Sequence, residues 1–134
     1  MEYLELYKTT VLIVGVVGFL MLIQLLVVDV VGMMAKHPPG HSIEANHDDL
    51  LFRVVRAQAN TNESVAIYIL LVLFGMLCGA NSYWLAVFSA LYAAGRLGHM
   101  ICYYANIKMA RSAAFGLALV GLLGMLVVGV MPWL

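Results

Sequence analysis

Charge is what this chain has least of. Asp, Glu, Lys and Arg make up 10% of its 134 residues, against about 25% in a soluble domain. The seven basic and seven acidic side chains cancel to a net charge of zero. With no basic tail, nothing in the balance suggests a nucleic-acid partner. Cysteine is almost missing too. Cys78 and Cys102 form no close-spaced motif and read as reduced packing residues, with disulfide pairing as the lesser alternative. Proline occurs three times, and Pro38 and Pro39, followed by Gly40, mark one loop.

What fills the chain instead is hydrocarbon. Hydrophobic residues reach 64% and the mean hydropathy is +0.98. Long apolar runs of this kind predict an all-α integral membrane four-helix bundle, a single domain over residues 1–134. The first span is expected from Thr9 to Met34. Its run from Val11 to Val28 is too long for a signal-peptide core, and no small-x-small cleavage site follows. After the loop AKHPPGHSIEANHDD, a second helix is expected from Asp48 to Cys78, with the two aspartates at its start complementing its dipole. Its later half reads as nearly pure hydrocarbon. The turn GANS leads to a third helix from Tyr83 to Asn106. Lys108 to Ser112 read as a tight connection, with Ser112 as N-cap of a last span ending near Met131. Lys36, Arg53, Arg56, Lys108 and Arg111 belong to the first and third connections, and the second turn has no Lys or Arg. The positive-inside rule therefore puts the first and third connections in the cytoplasm and both termini on the opposite side.

Against this background four polar residues stand out. Arg53, Arg56, Asn60 and Glu63 fall within an arc of about 80° on the second helix. Arg96, His99 and Tyr103 span about 60° on the third. Arg111 and Ser112 open the fourth. Intramembrane charge is expensive and usually functional. The bland readings are that such groups pair across helices, that Lys108 and Arg111 snorkel to the interface, and that His99 is a hydrogen-bonded interior residue. The coincidence of these groups at one depth favours a site for a small anionic ligand with one ammonium. Arginines hold carboxylates bidentately, Glu63 takes an ammonium, and Arg111 favours the ionised form of a nearby thiol. Glutathione has all these groups. His37, His41 and His47 lie in the loop without a tight ligand pattern, and no metal site is expected from them. Gly116, Gly121 and Gly124 are expected to let helices approach closely.

The segment Arg53-Val-Val-Arg56-Ala-Gln-Ala-Asn60-Thr-Asn-Glu63 resembles the signature of the membrane-associated proteins in eicosanoid and glutathione metabolism (MAPEG). Its Arg-Ala-Gln-x-Asn wording is similar to leukotriene-C synthase. Arg96-x-x-His99-x-x-x-Tyr103 and Arg111-Ser112 look more like the microsomal glutathione transferases and prostaglandin-E synthases. The resemblance implies a homotrimer with glutathione in a cleft between protomers, open to the cytoplasm. It implies that Arg56, Asn60 and Glu63 bind the glutathione backbone. His99 and Tyr103 would line the site, Arg96 would support it, Ser112 would sit near the sulfur, and Arg111 would stabilise the thiolate. Gln58, off the stripe, is assigned to a neighbouring protomer's site, and Arg53 to the loop edge as an anchor. Two departures are visible. The family's arginine near the end of the first helix is missing from VVDVVGMMAK, leaving Lys36 as the nearby cation. A proline common after the signature glutamate is replaced within Ser64-Val65-Ala66.

The expected function is thus a glutathione transferase of the inner or endoplasmic membrane, the short loops favouring a bacterial inner membrane. It would add the glutathione thiolate to lipophilic electrophiles or reduce lipid hydroperoxides, with no metal. The alternatives are a non-catalytic lipid-binding scaffold of the same fold and a small proton-coupled exporter built on Asp29 or Glu63.

Overall fold

A computed structural model describes residues 2–134. Five α-helices follow one another: α1 (Glu2–Leu6), α2 (Lys8–Met34), α3 (Leu50–Leu77), α4 (Ser82–Tyr104) and α5 (Lys108–Val130), with a short 3₁₀ turn at Met131–Trp133. The last four are long and apolar enough to cross a membrane. No strand occurs among the described residues.

The helices start and stop where local chemistry dictates. Asp49 caps α3, its carboxylate accepting from Leu51 N at 3.1 Å. Asn81 caps α4 by accepting from Trp84 N at 3.1 Å. Either bond satisfies an amide the helix cannot. At the other ends the chain passes through the left-handed region, at Lys36 (φ 53°), Gly79 (φ 71°) and Asn106 (φ 58°). The next amide then reaches back to the helix: His37 N to Gly32 O, Ala80 N to Gly75 O, Ile107 N to Cys102 O. This closes the orphan carbonyls of the last turn.

One boundary differs from expectation. α5 begins at Lys108, and the connection is only Ala105–Ile107. Ser112 is therefore not an N-cap; it lies in the second turn of α5, exposed. Asn106 ends α4 so abruptly that the good helix formers from Lys108 onward start the next helix at once.

Packing is inverted relative to a soluble protein. Leu12, Phe19, Leu70 and Leu123 are exposed, whereas Gln24, Thr61, Ser89, Arg96 and His99 are buried. That is the order a bilayer demands, since lipid solvates apolar side chains and polar groups must find partners inside. α4 and α5 touch backbone to backbone. A Cβ on Gly95 would lie 2.5 Å from Ala118 N, and one on Gly121 2.7 Å from Phe88 O. Small residues permit that approach. Gly124 meets the Phe88 ring, but Gly116 faces open space, so the expectation for Gly116 does not hold and Gly95 takes its place.

The N-terminus and the C-terminal end both lie beside the α3–α4 turn. The Tyr7 hydroxyl donates to Ala80 O at 2.7 Å, and Met131 shares a groove with Gly79 and Asn81. The α2–α3 and α4–α5 connections gather at the opposite end, where the His47 ring meets that of Tyr103.

Candidate functional site

The charged stripe on α3 divides its labour. Arg53 turns toward the preceding loop, where its Nη1 donates to the carbonyl oxygens of His47 (2.8 Å) and Asp48 (3.0 Å). It anchors loop to helix. Arg56 and Glu63 face each other two turns apart, Nη1 to Oε1 4.0 Å, with 42% and 63% of their side chains exposed. So open and long a pair contributes little to stability. Both groups keep most of their hydrogen-bonding capacity free. Gln58 is half-buried on another face of the helix.

Asn60 turns inward. Its side-chain oxygen accepts from Arg96 Nη1 at 2.6 Å, and its backbone oxygen from the same nitrogen at 3.3 Å. Arg96 is 2% exposed. Its guanidinium also lies 5.8 Å from the Tyr92 ring centroid and 5.5 Å from that of Phe115. A charge so deep persists only when it is hydrogen-bonded and wrapped by π faces. Two more rungs continue the α3–α4 contact. The Ser64 and Tyr92 hydroxyls are 2.9 Å apart, and those of Tyr68 and Ser89 2.7 Å apart. The rings of Tyr68 and Tyr92 stack at 4.3 Å. The later half of α3 is thus not pure hydrocarbon. Its spacing of Ser64 and Tyr68, against Ser89 and Tyr92 on α4, was the available signal for this ladder.

The last group sits at the α4–α5 corner. His99 and Tyr103 are buried, their rings edge to face at 5.0 Å. Arg111, one turn into α5, lays its guanidinium 4.3 Å from the Tyr103 ring centroid. Among the described residues the ion pairs are Lys8–Glu5 and Arg56–Glu63, so no carboxylate neutralises Arg111. Ser112 points to the outside of the bundle, and Lys36 is exposed at the end of α2. The structure therefore brings together Asn60 with Arg96, Arg56 with Glu63, and His99 and Tyr103 with Arg111. It leaves Ser112, Lys36 and Gln58 apart from these contacts within one copy of the chain.

This end of the bundle presents guanidinium donors at Arg56 and Arg111, a carboxylate at Glu63, a phenol at Tyr103 and an imidazole at His99. Such a set is complementary to a ligand carrying carboxylates and one ammonium. None of the curated proteins compared with the chain matches it. A family model does: the model of the MAPEG family matches residues 10–131. That span reaches into all four long helices and takes in Arg56, Asn60, Glu63, Arg96, His99, Tyr103 and Arg111, and the chain belongs to the MAPEG family.

Proposed function

We propose that this protein is a membrane-bound glutathione transferase. In this reading Arg56, Asn60 and Glu63 hold the glutathione backbone, and Arg111 keeps its sulfur ionised. The observation that carries the reading is Arg111. Its guanidinium lies over the Tyr103 ring, which also carries His99 on its edge, and among the described residues no carboxylate neutralises it. A cation fixed in this way stabilises an anion delivered to it without reorganising. A thiol beside it ionises more readily, and the thiolate is the nucleophile.

The roles divide by geometry. Arg96 is a positioning residue: buried, it fixes the Asn60 side chain through the 2.6 Å bond. Arg56 and Glu63 are open enough to exchange their weak mutual pair for a ligand's carboxylate and ammonium. Tyr103 and His99 form the floor under Arg111. With an aryl halide, a sulfur–carbon bond forms as halide leaves. With an unsaturated carbonyl, the same bond forms and the adjacent carbon takes up a proton. With a lipid hydroperoxide, sulfur attacks the terminal oxygen, the O–O bond breaks and an alcohol departs with a proton. A second glutathione then completes the disulfide with loss of water. A groove of about 310 Å³ between α2 and α4, lined by Val16, Phe19, Ile23, Ala93 and Leu97 among others, suits a lipophilic second substrate arriving from the bilayer. A homotrimer would bring Gln58 of a neighbouring copy toward the same cleft. The site would face the cytoplasm of a bacterial inner membrane, as the loop cations favour.

The test is glutathione conjugation by the detergent-solubilised protein. The unaltered protein is expected to bind glutathione and turn over a chlorinated nitrobenzene. Arg111→Ala is expected to lose about a hundredfold or more in kcat with glutathione still bound. Retained turnover in that variant would contradict the assignment.

A further inference from the structure

Loop 37–49 between α2 and α3 reaches over the α4–α5 corner and leaves one side chain there, His47. Its ring stacks on Tyr103 with centroids 6.3 Å apart and planes inclined by 25°. Its other neighbour is Phe52, edge-on at 5.0 Å. The backbone behind it is clasped by Arg53, whose Nη1 donates to His47 O at 2.8 Å. The imidazole is thus held by aromatic contact and by its own carbonyl, while its Nδ1 is buried and has no hydrogen-bond partner. His99 Nδ1, on the other ring contacting Tyr103, is buried without a partner as well. Arg111, on the same phenol, has no carboxylate partner.

Three side chains from three parts of the chain therefore surround one phenol ring, each with polar capacity that the protein leaves unused. A buried polar atom without a partner is costly, and two of them come together on the rings that contact Tyr103. Packing alone does not account for His47, because a phenylalanine would fill the same place between Tyr103 and Phe52 without that cost. A ligand with acceptor atoms, bound at Arg111, is the kind of group that this unused donor capacity fits. We propose that His47 is a ligand-contacting residue of this site, donating from Nδ1 to the bound glutathione. Loop 37–49 is then part of the binding site, and Arg53 is the residue that positions it. The inference rests on the glutathione reading of the site and adds to it a contact made by the loop.

The test compares two substitutions in the full-length solubilised protein, with glutathione affinity measured by titration calorimetry. His47→Phe keeps the aromatic packing and removes the donor. His47→Asn removes the ring and keeps an amide nitrogen near the position of Nδ1. The inference predicts that His47→Phe weakens glutathione about tenfold, while His47→Asn stays within about threefold of the unaltered protein. The reverse order, or no change in either variant, would overturn it. Thermal unfolding of each variant separates a binding loss from misfolding; equal melting temperatures with unequal affinities support the donor role. Should the unaltered protein bind no glutathione, the reading of the whole site fails, which is a different outcome from tight binding that ignores position 47.

Discussion

At the scale of single residues, the site is a set of groups whose demands are met to different degrees. Arg96 is largely provided for, with its buried Nε left without a partner. It is buried, bonded to Asn60 and flanked by two rings. Asn60→Leu removes its 2.6 Å side-chain hydrogen bond and leaves the buried charge with only the 3.3 Å contact to the backbone oxygen. That change should destabilise the folded protein by about 3 kcal/mol, read as a lower unfolding temperature in detergent. Adding Arg96→Met should restore much of the loss, because the stranded charge then disappears. Arg111 is the opposite case, half-buried and without a carboxylate among the described residues, and its loss should affect rate far more than stability. The sequence distinguished these two poorly. It showed Arg96 and Arg111 as cations near one depth, but not which would find a protein partner. That depends on rotation about the helix axis, and Asn60 is the member of its stripe that happens to face α4.

At the scale of elements, the α3–α4 contact is a ladder. Asn60–Arg96, Ser64–Tyr92 and Tyr68–Ser89 descend in antiparallel register, one rung per turn. Interhelical hydrogen bonds in membranes average about 0.6 kcal/mol each, so the ladder fixes register more than it adds stability. The α4–α5 contact uses shape instead. Gly95→Leu drives a side chain into the α5 backbone at Ala114 and Ala118; a loss of about 3 kcal/mol or failure to fold is expected. Gly116→Ala meets nothing within 4 Å and should leave the melting temperature unchanged or raise it, worth up to about 1 kcal/mol. Thermal melts of the two variants side by side check both. The helix limits were legible from apolar length and from Asp49, Gly79 and Asn81. The start of α5 was not, because Ser112 looked like a cap and nothing local announced that Asn106 would adopt a positive φ. The glycines were recognisable as packing residues only as a class, since which of them meets a neighbour depends on the helix face that the fold turns inward.

At the scale of the whole molecule, four spans place the α2–α3 and α4–α5 connections at one end and both termini at the other. The cations gather at the first end, so that end should be cytoplasmic. With Cys78 and Cys102 replaced, a cysteine at Ser42 or Lys108 should resist a membrane-impermeant thiol reagent in intact cells, and one at Asn81 should react. Family membership accounts for the fold, and the arrangement around Tyr103 suggests the chemistry. The central claim is that Arg111 holds a thiolate, and the pH dependence of conjugation tests it most directly. Free thiols ionise near pH 8.5. A group that favours the anion lowers that value, so kcat should rise with pH through an inflection well below it, and Arg111→Ala should move the inflection back up. An inflection at the free-thiol value in the unaltered protein, indifferent to Arg111→Ala, would contradict the account.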